Sequence, residues 1–144
     1  MSATKLVGVL AIGGAMLTST GCVGPLAGGD KKAACENIET AANKLASSST
    51  TQPNPSNPMA SVSASAQKFS DFASTVRSEG KNAGGDVETA ANKFAADIDT
   101  TANAMRQAAS NPSSASGIMS SVGNLRQSGE ALSKACGISG FRLG

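Results

Sequence analysis

Residues 87–108, VETAANKFAADIDTTANAMRQA, place their apolar side chains at alternating steps of three and four residues. This spacing lines one face of an α-helix, whereas a β-strand alternates apolar and polar residues at every second position. The stretch therefore predicts an amphipathic helix with one buried face. The residues on that face are Val87, Ala91, Phe94, Ile98, Thr101, Met105 and Ala108.

Three other segments carry the same spacing, and helix-breaking residues separate all four. The breaks lie at residues 47–58 (SSSTTQPNPSNP), 80–85 (GKNAGG) and 110–112 (SNP). We therefore predict an all-α fold, an up-down-up-down antiparallel four-helix bundle over residues 31–137. The apolar positions are Cys35, Ile38, Ala42 and Leu45 in helix one; Met59, Val62, Ala66, Phe69, Ala73 and Val76 in helix two; and Ile118, Val122, Leu125, Gly129, Leu132 and Cys136 in helix four.

Helix start and stop signals agree with these four segments. Asn57 can cap helix two, because it precedes a proline that fits the first helical position. Gly137 follows the last apolar position and is expected to end helix four. The other predicted N-caps are Asp86 for helix three and Ser113 or Ser114 for helix four.

A nine-residue motif occurs twice in the chain. Residues 38–46 read IETAANKLA and residues 87–95 read VETAANKFA, with seven identical positions at an offset of 49 residues. The simplest account is a duplicated helical hairpin. The alternative is chance similarity between two Ala-rich helices, because helices two and four share no equally clear match. The repeated polar side chains form either a recognition face or a solvated surface.

The first residues are typical of an export signal. Lys5 precedes an apolar run over residues 6–17, which is too short to span a bilayer as a helix but suits a signal peptide. We therefore predict a signal peptide over residues 1–21.

The end of this signal resembles a bacterial lipobox, in which a small residue precedes a cysteine that receives a diacylglycerol group. Thr20, Gly21 and Cys22 match that pattern, and Ser19 stands where an aliphatic residue is usual. The resemblance implies that Cys22 is lipidated, and the Gly-rich residues 22–30 are expected to form a flexible tether. The alternative is ordinary secretory cleavage near Gly21.

The chain has three cysteines, an odd number that leaves one thiol to explain in an exported protein. If Cys22 carries lipid, Cys35 and Cys136 remain as a pair that would oxidise outside the cytoplasm. In an up-down-up-down bundle, the start of helix one and the end of helix four lie at the same pole. We therefore predict a disulfide between Cys35 and Cys136, with two free buried thiols as the alternative.

Composition excludes several classes of function. Four Phe are the only aromatic residues, His is absent, and the net charge is +2. The chain therefore lacks His-dependent nucleophiles, His-ligated metals, a base-stacking platform and a strong field for nucleic acid. We expect no catalysis, no metal, no cofactor and no nucleic-acid partner.

The whole layout resembles the small secreted lipoproteins of high-GC Gram-positive (actinobacterial) bacteria. The matching features are the signal ending at Cys22, the pair Ala34-Cys35 opening helix one, an Ala/Ser/Lys-rich helical middle, and Ala135-Cys136-Gly137 near the end. The resemblance implies a location in the cell envelope, and it brings no reaction and no catalytic residues.

Two hypotheses for function follow. The first is a lipid-anchored module on the extracytoplasmic face of the cell membrane, serving protein interaction with an unknown envelope partner or envelope structure. The second is a carrier or sensor that holds a small apolar ligand between helices near Phe69 and Phe94. A large cavity would favour the second, and a filled core the first. Residues 138–144 are expected to fold over the end of the bundle, with a docking peptide as the alternative.

Overall fold

The computed structural model describes residues 28–49 and 56–139. Within these ranges the chain forms α1 (Gly28–Ser49), α2 (Pro58–Ala83), α3 (Gly85–Ser110), a 3-10 turn (Pro112–Ala115) and α4 (Ser116–Cys136), and no strand. The prediction of an all-α four-helix bundle is confirmed. The predicted signal peptide, Cys22 and residues 140–144 lie outside the described residues.

The helices pack in chain order, α1 on α2, α2 on α3 and α3 on α4. The α2–α3 contact is the most extensive, whereas α1 and α4 meet only over a short stretch. Gly80 explains part of the close α2–α3 approach, because a Cβ atom there would overlap the Cβ of Ala91. The bundle is thus built on a tight central hairpin with one helix added on each side.

The core is closed at one pole and more open at the other. Every predicted apolar position of α1 is buried, and so are those of α3 from Val87 to Thr101. At the opposite pole Met59 and Val122 are 45% and 48% exposed, so the prediction that they face the core is wrong. The cause is the shortness of α1. The last turn of α1 lies beside Lys68, whose Nζ donates to the Ser48 carbonyl at 3.2 Å. Because α2 begins at Pro58, its first ten residues, about 15 Å of helix, extend beyond the end of α1 at that pole.

Two predicted boundaries need correction. Helix α1 begins at Gly28, so it includes the last three residues that were assigned to the tether. The negative charge of Asp30, in the first turn, interacts favourably with the positive end of the helix dipole. Helix α2 continues through Gly80 to Ala83, so the second break narrows to Gly84. Gly84 and Gly85 have φ of 68° and 56°, a left-handed conformation that costs glycine little.

The predicted caps are partly right. The Asn57 side chain accepts from the Ala60 amide at 3.1 Å, with Pro58 at the start of α2. Asp86 does not cap α3, because that helix already begins at Gly85 and Asp86 lies in its first turn. Neither Ser113 nor Ser114 caps α4. Both lie in the 3-10 turn that precedes α4, and the side chain of Asn111 caps that turn by accepting from the Ser113 amide at 3.2 Å.

The two copies of the motif occupy equivalent structural positions. Ile38 and Val87 are 0% and 1% exposed, and Leu45 and Phe94 are 8% and 1% exposed. The Thr40 and Thr89 hydroxyls each donate to the carbonyl four residues earlier. Corresponding residues of the two copies are therefore buried, or hydrogen-bonded to their own helix, in the same way in α1 and α3.

The structure also draws attention to a second match at the same offset. The buried glycines Gly80 of α2 and Gly129 of α4 are 49 positions apart, within Val-Arg-Ser-Glu-Gly and Leu-Arg-Gln-Ser-Gly. At both glycines an added Cβ atom would meet α3, at Ala91 for Gly80 and at the Phe94 ring for Gly129. The same offset of 49 residues therefore relates α1 to α3 and α2 to α4. This agreement supports the interpretation that one helical hairpin was duplicated.

Candidate functional site

Cys35 and Cys136 form a disulfide at the closed pole of the bundle. Their Cα atoms lie 5.8 Å apart and 101 residues separate them in sequence. Cys35 is 4% exposed, and Cys136 packs partly buried against the core. The bond joins α1 to α4 where these two helices otherwise touch little, and it confirms the predicted pairing.

The end of α4 holds Cys136 in place. Gly137 adopts φ 70° and ψ 26°, the left-handed conformation of a helix C-cap. Its amide donates to the Lys134 carbonyl at 3.1 Å, and the Ile138 amide donates to the Ser133 carbonyl at 3.0 Å. This pair of bonds satisfies carbonyls at the helix end, so the predicted stop at Gly137 is confirmed.

The aromatic residues predicted as ligand contacts lie in different surroundings. Phe94 is 1% exposed, and its ring meets Phe72 edge to face, with centroids 6.1 Å apart and planes at 86°. The ring of Phe94 also fills the space beside Gly129, where a Cβ atom would lie 3.2 Å from it. Phe69 is partly buried against the same cluster. Phe94 thus serves as core packing, and Phe72 as its partner.

A groove lies instead between α1 and α2, with a volume of about 340 Å³. It is open to solvent on one side, and Phe69 and Phe94 are not among its lining residues. Its walls combine apolar side chains with two lysines and one aspartate. The lining residues are Ala41, Lys44, Leu45, Ser48, Lys68, Asp71, Phe72 and Thr75.

Sequence reasoning missed this groove. The helix periods place Leu45 on a buried face, but they do not say that Lys44 and Lys68 border the same space. The available signal was the repeat itself, in which Lys44 corresponds to Lys93. One turn after Lys93 the sequence has Asp97, whereas one turn after Lys44 it has Ser48. This comparison would have shown that only Lys93 has a carboxylate one turn later on its own helix.

Polar contacts hold the outer face of the α2–α3 hairpin. Arg77 donates to Asp99 at 2.6 Å, with the two side chains 42% and 37% exposed. Arg106 donates to the Ser70 hydroxyl at 2.9 Å and to the Ala66 carbonyl at 3.5 Å. These bonds orient α2 against α3.

Within the described residues, no set of three or more His, Cys, Asp or Glu side chains gathers as a metal site would require. None of the described helices is both long and apolar enough to cross a membrane. Buried side-chain polar atoms in the same part of the chain all have hydrogen-bond partners. The candidate features are therefore the disulfide pole and the α1–α2 groove.

Comparisons with models of protein families, with curated proteins and with solved structures gave no match.

Proposed function

We propose that this chain is a lipid-anchored, extracytoplasmic helical-bundle module that serves protein interaction or envelope structure and catalyses no reaction. In this proposal residues 1–21 are a signal peptide and Cys22 receives the lipid. The resemblance to actinobacterial lipoproteins supports an anchor on the outer face of the cytoplasmic membrane. The partner is an envelope protein.

The observation that carries the proposal is the bond between Cys35 and Cys136. Disulfides form and persist outside the reducing cytoplasm, so this bond supports export. It also uses two of the three cysteines and leaves Cys22 alone after an apolar run. A single cysteine at that place suits lipid attachment better than it suits a structural role.

The shape of the bundle supports a role in contact with other proteins. Helix α1 begins near the disulfide pole, so an anchor at Cys22 attaches the bundle by this pole. The opposite pole then faces away from the membrane. Its exposed apolar side chains, Met59, Met119 and Val122, are the kind of residues found at interaction surfaces.

The anchor is tested by fractionating actinobacterial cells that express the wild-type chain or Cys22→Ser. We expect the wild type in the membrane fraction, released by detergent, and the variant in the medium or retained as an unprocessed precursor. A wild-type chain that is secreted freely would contradict the anchor.

The interaction role is tested by cross-linking on intact cells, with a photoreactive side chain in place of Met119 at the exposed pole. The matched control carries the same side chain in place of Glu36, near the disulfide. We expect one envelope protein to be captured from position 119 and not from position 36.

A further inference from the structure

The repeated motif gives an internal comparison for the two lysines at its seventh position. Lys93 lies one helical turn before Asp97, and its Nζ reaches that carboxylate at 3.3 Å. Lys44 lies one turn before Ser48 and has no carboxylate within ion-pair distance among the described residues. Within the described part of the chain, the same sequence context therefore leaves the Lys93 ammonium group paired and the Lys44 ammonium group without a counter-ion.

Lys44 borders the α1–α2 groove. The floor of that groove includes Leu45 and Phe72, which are 8% and 5% exposed and belong to the hydrophobic core. Lys68 lies on the same rim, where its Nζ donates to the Ser48 carbonyl. An apolar floor therefore lies next to two ammonium groups.

One carboxylate also borders the groove and sets its charge balance. Asp71 accepts from the Gln67 side chain at 3.0 Å and forms no ion pair among the described residues. Two lysines and one aspartate leave the groove with a single net positive charge. That balance suits a ligand with one negative charge better than a phosphate with two.

We infer that the α1–α2 groove binds a single-chain amphiphile with a carboxylate head group, such as a medium-chain fatty acid. The alkyl chain lies along Leu45 and Phe72, which shield one side of it from water, and the carboxylate accepts from the Lys44 ammonium group. A charge-assisted bond of this kind is stronger than a neutral one. The inference does not depend on the proposed anchor, because every group in it belongs to the bundle.

The test is titration calorimetry of the full oxidised chain with dodecanoate below its micelle concentration. We expect saturable binding to the wild type, weakening as salt is raised. Dodecyltrimethylammonium carries the opposite charge on an alkyl chain about one carbon longer, and it is expected to bind at least about tenfold more weakly. Equal binding of the two amphiphiles, or no saturable binding of dodecanoate, would overturn the inference.

Matched variants locate the site. Lys44→Gln is expected to raise the Kd for dodecanoate by about tenfold or more, because it removes the charged partner. Lys93→Gln changes the same position of the other repeat copy, outside the groove, and is expected to leave the Kd unchanged. Thr75→Leu, on the groove wall, is expected to weaken binding by filling space without changing charge.

Two controls keep this test decisive. Circular dichroism must show that each variant keeps the helical content of the wild type. Lys44 and Lys93 are exposed and Thr75 is half-buried, so none of the substitutions removes a core side chain. If Lys44→Gln and Thr75→Leu both bind as tightly as the wild type, the amphiphile occupies another part of the chain and the inference is wrong. If Lys93→Gln weakens binding as much as Lys44→Gln, the effect is one of overall charge and the inference is wrong as well.

Discussion

Cys35 and Cys136 are bonded with their Cα atoms 5.8 Å apart, and they connect the two helices of the bundle that otherwise touch least. The bond closes a loop that includes nearly all of the described chain. Helix α1 is attached to the rest by its packing on α2 and by this link. The disulfide therefore determines whether α1 and α4 stay together at the closed pole.

Loss of this bond should destabilise the bundle strongly. A loop of about 100 residues is assigned up to about 4.7 kcal/mol in the chain-entropy account, a large part of the stability of a small domain. Urea unfolding of the wild type, with and without reductant, measures the loss. The variant Cys35→Ser/Cys136→Ser should unfold like the reduced wild type and be indifferent to reductant. An unfolding midpoint of the wild type that does not respond to reductant would contradict this role.

Gly80→Ala tests the close approach of α2 to α3. Alanine normally favours a helix, but here its Cβ would overlap that of Ala91, so we expect a loss of about 1–3 kcal/mol of stability. Gly123→Ala is the matched control, because a Cβ at that exposed helical position meets nothing within 4 Å. The control should gain about 0.5–1 kcal/mol. Similar gains in both variants would show that the two helices are not in close contact.

Much of this fold could be predicted from the sequence. The spacing of apolar residues along each segment predicts a helix without knowledge of its neighbours, and the number of cysteines predicts the disulfide pair. Residues 87–108 show a face that is buried as expected at Phe94 and Ile98. The prediction failed at Gly80, where a local helix breaker is helical because its lack of a side chain serves a contact with α3. The exposure of Met59 and Val122 could not be predicted, because it depends on how far the neighbouring α1 extends.

Phe94→Ala tests the core. The ring is 1% exposed, so we expect a loss of about 3–5 kcal/mol. Met119→Ala, at a position 80% exposed, should change stability by less than about 0.5 kcal/mol. A double-mutant cycle with Phe72→Ala should give a coupling of about 0.5–1.5 kcal/mol for the edge-to-face pair. Additive losses would mean that the two rings do not interact.

The candidate site could be predicted only in part. The disulfide followed from cysteine number and helix order, whereas the groove depends on which side chains of α1 and α2 come together in space. Lys44 and Lys93 show the difficulty, since the same residues, Glu-Thr-Ala-Ala-Asn, precede both, while the residue one turn later is Ser48 in one copy and Asp97 in the other. Phe69 was expected beside Phe94 because both lie on apolar faces, and the structure places Phe72 there instead.

Arg77 and Asp99 form a short ion pair with considerable exposure, 42% and 37% of the two side chains. Solvent screening limits such pairs, so a double-mutant cycle with Arg77→Met and Asp99→Asn should give a coupling of about 1 kcal/mol or less. The coupling should shrink further in 1 M salt. A value that is large and independent of salt would indicate a pair shielded from water, contrary to its exposure.

The most direct test of the proposed function is the intact mass of the chain extracted from its native membranes. We predict a polypeptide that begins at Cys22, carries a diacylglycerol group there, and lacks the two thiol hydrogens of Cys35 and Cys136. After reduction those hydrogens should return while the lipid remains. A chain that begins elsewhere, or that begins at Cys22 without lipid, would contradict the proposal of a lipid-anchored envelope module.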